Sequence, residues 1–394
     1  MIRHNINLFS QIINTLPNYA FSRIVNQYQG DKHNKGINSW THLVAMLFMQ
    51  FSRSASLREI TYGLSSTQGN LNHLGITKKC PKRSSLSYIN KHRSSAIFKD
   101  FYYKLLNDFS STCKKYGKKL PIKKKTYLLD STIISLCMSL YPWAKYEQTK
   151  GAIKLHTLLD YEGYLPKYVY ISDGKKSDVK AAEEIPIPKG SVVVADRGYE
   201  SFSLLNDWNK AGIKFVVRIK SNTNFIRYKE IPLPEGRQED IIIDEEVLLE
   251  DPETRKKYPE KLRRVVIYVE EEKTTIELIT NNFSWTAETI SKLYRSRWQI
   301  EIFFKEIKTH LKIKTFVGTS ANAVEIQIWT ALITILILRY MKMKAKFKWS
   351  LSNLINSIRL HLFSKASLEE LLNIPFKPPG EEIQTTQYLL FSEN

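Results

Sequence analysis

LYRSRWQIEIFFKEIK, residues 293–308, sets Tyr294, Arg297, Glu301 and Lys308 at intervals of three, four and seven. At ~100° per residue the four side chains fall within an arc of about 60° on one helix face. A carboxylate between two cations, with a phenol beside them, is a poor way to build a core. It is a sensible way to hold phosphate near a metal ligand. The Arg297–Glu301 spacing also suits an ordinary ion pair on a solvated face, so this stretch alone leaves both readings open.

Two aspartates shift the balance. Asp130 follows the apolar run Tyr127–Leu129, and Asp196 follows Val192–Ala195. Each is expected where a core strand ends, the place where α/β sheets present active-site groups. Either one alone would read as a turn former. With Glu301 they give three carboxylates able to converge on divalent cations. Mg²⁺ is hard and oxygen-seeking, and it takes few protein carboxylates while keeping waters and substrate phosphates. Two such ions about 3.5–4 Å apart suit phosphodiester chemistry, activating the attacking oxygen and stabilising the leaving one.

Outward from these residues the pattern is strand-like from Thr126. Runs at 126–129, 154–159, 167–171, 191–195 and 215–219 are bounded by Asp, Gly and Lys turns, with helices expected at 179–185 and 201–211. Hairpin strands followed by a strand–helix–strand unit predict an α/β sheet with helices against it. Residues 221–273 change character. They hold Pro232, Pro234, Gly236, an acidic run (Glu239, Asp240, Asp244, Glu245, Glu246) and strand candidates at 241–249 and 264–270. They read as a β-rich insertion, after which 275–280 returns to the sheet. One helix is predicted over 287–311, N-capped by Thr286 with Glu288 in its first turn. Helices at 321–341, 351–362 and 367–372 close the chain.

Ahead of the sheet, apolar residues recur at helical spacing. Helices are predicted at 8–16, ended by Pro17, at 40–51, after a Ser56 cap, at 84–91 and at 96–109. Short helices with positive charge resemble a helix-turn-helix-like DNA-binding domain. The expected division is a helical DNA-binding domain (1–112), a basic linker (113–125), a catalytic core in two parts (126–220 and 274–345) split by the insertion (221–273), and a C-terminal helical segment (346–394).

Of 394 residues 43% are hydrophobic and 12% aromatic, which excludes disorder for most of the chain. Cys80, Cys113 and Cys137 are too few and too scattered for a disulfide framework or a zinc site. The start lacks a signal-peptide pattern, and the longest mostly apolar run, 328–338, falls short of the ~20 residues that span a bilayer. A cytoplasmic protein is expected. The net charge is +20, and residues 1–129 hold 21 Lys/Arg against 4 Asp/Glu. So basic a surface expects a polyanion. Without a basic-faced amphipathic helix or a lipidation motif, nucleic acid is favoured over acidic lipid and no membrane partner is expected. The lysine run Lys114, Lys115, Lys118, Lys119 and Lys123–Lys125 reads either as a linker along phosphate or as a solvated charge run.

The spacing Tyr294-x2-Arg297-x3-Glu301-x6-Lys308 resembles the Y-R-E-K signature of the IS-four-type bacterial insertion-sequence transposases. Asp196, Arg197, Gly198 and Tyr199, with Phe202 following, look like that family's segment around its second Asp, and Leu129–Thr132 look like the first. The resemblance implies an RNase H-like catalytic core with a β-rich insertion and an Asp-Asp-Glu triad, behind an all-helical N-terminal domain. Asp130, Asp196 and Glu301 would then ligate two Mg²⁺ ions, with Mn²⁺ as a substitute. Tyr294, Arg297 and Lys308 would contact the phosphates of the transposon end. The implied partners are double-stranded DNA, as terminal inverted repeats and target, and a second copy of the chain in a synaptic dimer. A nucleoid-associated cytoplasmic location follows.

The implied reaction is metal-dependent phosphoryl transfer by a cut-and-paste route: nicking, hairpin formation, hairpin hydrolysis and strand transfer. Family members stack one extruded base on an aromatic ring, offsetting an extrusion cost of a few kcal/mol. Trp298, Trp208, Tyr228 and Trp285 stay open for that role. Two rival readings use the same scaffold without strand transfer: a DNA-binding repressor, and an RNase H-like nuclease. Elsewhere, Asp160, Asp173 and Asp178 follow strands or cap a helix and read as turn formers, His156 and His310 read as structural or as reaching phosphate, and Cys137 as buried.

Overall fold

Polar side chains cap several of the N-terminal helices. Asn7 Oδ1 accepts the Ser10 N–H at 2.8 Å and opens α1 (Leu8–Asn14). Pro17 ends that segment and also starts α2 (Asn18–Gln27), which the sequence reading missed because its buried face is little more than Phe21 and Val25. Asn38 opens α3 (Ser39–Ser52). Ser56 opens α4 (Leu57–Ser65), while Glu59 reaches back to the Ala55 N–H at 2.8 Å. α5 (Arg83–His92) and α6 (Ala96–Tyr116) follow, so Lys114 and Lys115 are helical. The computed structural model describes residues 6–34, 36–66, 70–77, 80–116, 122–144, 151–233, 240–270, 273–311, 313 and 315–376. Lys118, Lys119, Pro234, Gly236 and Glu239 lie outside the described residues.

The sheet begins as an antiparallel meander of β1 (Thr126–Leu136), β2 (Gly151–Asp160) and β3 (Pro166–Asp173). α7 (Asp178–Glu184) leads to β4 (Val192–Ala195), and α8 (Phe202–Lys210) leads to β5 (Lys214–Arg218). β4 pairs parallel to β1, and β5 pairs parallel to β4. The insertion supplies β6 (Phe225–Glu230), β7 (Ile241–Leu249), the short α9 (Pro252–Lys257) and β8 (Leu262–Val269). β9 (Thr274–Thr280) then pairs antiparallel with β5. The insertion therefore builds no sheet of its own. Nine strands run as one sheet in the order β3-β2-β1-β4-β5-β9-β8-β7-β6. β6, also missed, is an outermost strand held by main-chain pairing with β7, and its side chains are nearly all exposed, so apolar patterning carries no trace of it.

The single helix predicted over 287–311 is two: α10 (Ala287–Arg295) and α11 (Trp298–His310). At the break Ser296 donates its hydroxyl to Leu293 O at 2.5 Å, and the Arg297 N–H reaches Tyr294 O, a tightened turn. α12 (Ala321–Lys344), α13 (Leu351–Leu360) and α14 (Leu368–Asn373) complete the described chain.

Period-two alternation splits the strand residues between two cores. Tyr127, Leu129, Val193, Ala195, Phe215 and Val217 pack with Leu204, Leu205 and Trp208 of α8. Leu128, Val194 and Val216 face the other way, into the core that also holds α10–α12 and the N-terminal helices. α12 is apolar on all sides and long enough to cross a membrane, but 83% of its most apolar window is buried inside the protein. It lies against α3, α5, α6, α11 and α13. The Asn322 side chain donates to Asn90 O and Arg93 O, and Ser95 Oγ donates to Glu325 at 2.6 Å, tying α12 to the N-terminal helices.

Candidate active site

The alternation that splits the cores also aims the aspartates. Leu128 and Val194 face the α11 side, so two residues on, Asp130 and Asp196 emerge on that same side. Asp196 does follow the end of its strand, and its Oδ1 accepts the Gly198 N–H at 2.8 Å. Asp130 does not: β1 continues to Leu136 and pairs Asp130 with Thr157 of β2. What ends at Leu129 is the pairing with β4, which runs from Thr126 opposite Val192 to Leu129 opposite Ala195. Cross-strand pairing with β2 carries the strand through Asp130, a residue type depleted in strands. Asp130 therefore stands where two parallel strands part, one register step beyond Ala195.

α11 supplies the rest. Ile300, Phe303, Phe304 and Ile307 face the core. A cleft of about 450 Å³ is lined by Asp130, Ser131, Thr132, Asp196, Arg297, Glu301, Phe304, Lys305, Lys308 and Thr309. Five of the six expected residues thus share one cleft. Arg297 sits between two of the acids, donating to Asp130 Oδ2 at 3.3 Å and to Glu301 Oε1 at 2.5 Å. Tyr294 is the exception. The break ahead of α11 turns it away from the cleft, and its ring is buried in the wall of an adjacent cavity of about 960 Å³. That cavity is also lined by Arg218, Tyr268, Arg295, Arg297 and Trp298, and Trp298 is 59% exposed. Of the other aromatics, Trp208 is buried beside Phe215, Trp285 is packed against the core, and Tyr228 lies exposed under Lys261.

The electrostatics follow from the crowding. Burial pushes the Asp130 carboxyl up to about 7, the Asp196 charge adds to it, and Glu301 adds a little more; the Ser131 N–H and Arg297 only partly oppose this. Burial works against the Arg297 cation too, but Tyr294, Glu301 and Asp130 more than compensate and raise it. Burial also lifts the Tyr294 phenol, against the pull of Arg297 and Arg218.

Hard oxygen donors gathered until one resists ionisation make a donor set that fits a divalent cation. Among the described residues, though, no three such groups already stand as a closed cage. The Arg297 guanidinium fills the space between Asp130 and Glu301 instead.

Two features escaped the sequence reading. Lys305, one turn beyond Glu301, adds a third cation to the cleft, and its i,i+4 spacing was the available signal. Asp178, read as a turn former, is the first residue of α7 behind a Ser177 cap, and its side chain meets Ser131, Lys154 and His156. Asp173, in contrast, accepts the N–H groups of Lys175 and Lys176 in a turn, and Asp160 accepts that of Glu162 while pairing with Lys125. His156 is fully buried, and His310 is the last residue of α11. Cys137 is exposed rather than buried, because β1 stops at Leu136 and the thiol falls in the following turn beside Ser139.

Comparison with known proteins gives a consistent picture. Residues 121–337 match the family described as transposase DDE domain, and residues 4–77 match a domain of unknown function. The chain is 31% identical to a putative transposase of Sinorhizobium fredii over 66% of its own length and 71% of that protein's. It is 29% identical to a probable transposase for an insertion sequence element of Geobacillus stearothermophilus, over 64% and 66%. The transposase InsG of Escherichia coli, for insertion sequence element IS4, is 27% identical over 43% of this chain and 39% of its own.

Proposed function

The chain belongs to the transposase DDE-domain family, an insertion-sequence transposase with an RNase H-like core, and on that premise we propose that Asp130, Asp196 and Glu301 are its catalytic carboxylates. One observation carries the assignment: residues 130, 196 and 301, remote in sequence, line one cleft with Arg297, Lys305 and Lys308 on its wall. The three acids would hold a pair of Mg²⁺ ions, or Mn²⁺ in their place, which when bound supply the Lewis acidity that phosphodiester chemistry needs. Lys308 and Lys305 fix the transferred strand by its phosphates, and Arg297 moves from the acids to the DNA as it binds.

The reaction class is phosphoryl transfer. In each step an oxygen nucleophile attacks phosphorus, one P–O bond forms and the opposite one breaks. Nicking by water frees a 3′-OH, that hydroxyl attacks the opposite strand to close a hairpin, water reopens it, and the freed 3′-OH joins target DNA. The substrates are the element's terminal inverted repeats and the target, engaged by a dimer that pairs the two ends, and the site of action is the nucleoid in the cytoplasm. Trp298, exposed at the edge of the cavity beside the cleft, is the aromatic best placed to stack an extruded base. Tyr294 would act from the wall of that cavity.

The test is Mg²⁺-dependent cleavage of DNA carrying the element's own ends. Alanine at Asp130, Asp196 or Glu301 should abolish cleavage and leave DNA binding intact, whereas three variants that still cut would refute the triad. Joining of a cut end to a target plasmid separates the transposase from a nuclease or a repressor.

A further inference from the structure

Behind the two aspartates lies a polar cluster that the triad does not include. Ser131, next to Asp130 on β1, donates its hydroxyl to Asp178 Oδ1 at 2.6 Å. Lys154 Nζ pairs with the same carboxylate at 2.9 Å, and His156 Nδ1 stands 3.4 Å from it. The other ring nitrogen of His156 meets Ser172 Oγ at 3.0 Å. Residues of β1 and β2 are thereby drawn to one side chain at the start of α7, and His156 extends the cluster to β3.

The second oxygen of Asp178 faces the turn that carries Asp196. A Cβ placed on Gly198 would lie 3.0 Å from Asp196 Oδ1, a tight approach, and 3.6 Å from Asp178 Oδ2, an ordinary contact, so the turn lies between the two carboxylates and its glycine leaves Asp196 room. Tyr199 is buried beside them; burial raises its phenol, and the charges of Asp178, Asp130 and Asp196 raise it further. With Ser131 and Lys154 already bonded to it, Asp178 is engaged away from any metal, and its geometry suits another task.

We propose that Asp178 is a positioning residue for the catalytic pair: through Ser131 it fixes the β1 backbone at Asp130, and by packing on Gly198 it fixes the turn that presents Asp196. This rests on the triad assignment. Outer partners that orient ligating carboxylates typically matter 10–100-fold in metal affinity, because a metal site tolerates little displacement.

The experiment uses full-length protein and four variants: Ser131→Ala, Ser131→Thr, Asp178→Asn and Asp130→Ala. Two quantities are measured: the Mg²⁺ concentration for half-maximal cleavage of the element's ends, and Mn²⁺ affinity by electron paramagnetic resonance without DNA. Ser131→Ala and Asp178→Asn should weaken Mn²⁺ binding and raise the Mg²⁺ requirement by about 10-fold or more. Thr, which keeps the hydroxyl, should restore most of both. If Asp178→Asn does not fold, Ser131→Ala alone decides. A Ser131→Ala protein with wild-type Mn²⁺ affinity and Mg²⁺ requirement overturns the proposal, as does a slower reaction with unchanged affinity. Asp130→Ala tells the two readings apart: if it still cleaves, the triad itself is wrong; if it is dead while Ser131→Ala behaves as wild type, only the positioning role falls.

Discussion

Replacing Arg297 by Gln removes the cation that balances the cleft. The guanidinium meets Asp130 at 3.3 Å with both side chains 16% exposed, and it meets Glu301 at 2.5 Å where the acid is 35% exposed. Stripping one partner from a fully buried pair costs about 3–5 kcal/mol. The Glu301 limb, more exposed and screened by solvent, is worth less than ~1 kcal/mol. Allowing for partial burial of the Asp130 limb, Arg297→Gln should destabilise the metal-free protein by about 2–3 kcal/mol, since the acids lose the cation seated between them and Asp130 must take up a proton or stand without its partner. A divalent cation supplies the missing charge, and at 100 times its Kd a ligand stabilises by ~2.7 kcal/mol. Mg²⁺ should therefore raise the Tm of Arg297→Gln more than that of the wild type and recover most of the deficit. The assay is thermal unfolding of both full-length proteins with and without Mg²⁺, at ionic strength matched with NaCl to remove general screening. Equal Tm values without metal, or equal Mg²⁺ shifts in the two proteins, would refute the reasoning.

Three further outcomes follow from features away from the cleft. His42 is fully buried with Nε2 at 2.6 Å from Asn90 Oδ1, and burial, helped by the Arg93 charge, lowers it from 6.5 to about 3. Its folded pKa lies below the unfolded one, so its contribution is whole above about pH 6.5 and drains toward pH 3 by roughly 1.4 kcal/mol per unit. Acid unfolding followed by circular dichroism should lose that slope in His42→Gln, and an unaltered slope would contradict the assignment. Gly75 has φ +72°, and a Cβ there would lie 2.7 Å from Trp40 Nε1, which donates to Leu74 O. Gly75→Ala should cost about 2 kcal/mol in urea unfolding, whereas a cost under ~0.5 would show the turn to be relaxed. Asp244 and Arg263 form a buried pair at 2.6 Å in the insertion strands. Arg263→Met alone should cost ~3–5 kcal/mol, and adding Asp244→Leu should return most of it; a double variant no better than the single would place the cost elsewhere.

Where one chemical pattern sufficed, the sequence was readable. A β-rich composition marked β7 at 241–249, and the caps Ser56 and Thr286 start their helices where they should. The carboxylates that line the cleft were named because each stands beside a strongly patterned segment. What escaped depends on partners remote in the chain. β1 runs past Asp130 because β2 pairs with it, and β6 exists because β7 offers an edge; the break between α10 and α11 is local instead, marked by the Ser296 hydroxyl bonding back to Leu293 O, which helical spacing does not announce. Asp178 was read as a turn former since nothing near it in sequence announces Ser131 or Lys154. Lys125, counted in a basic run, pairs with Asp160 and Glu162.

α12 gives the N-terminal helices a structural duty. A greasy rod with no polar side must be wrapped over most of its length, and the wrapping comes partly from α3, α5 and α6 and partly from α11 and α13. Cutting the chain at the junction between them would strand that rod in water. A fragment starting near residue 121 should be recovered as insoluble material, and the two halves should melt in one cooperative step. The N-terminal helices are thereby bolted to the helix that packs behind α11.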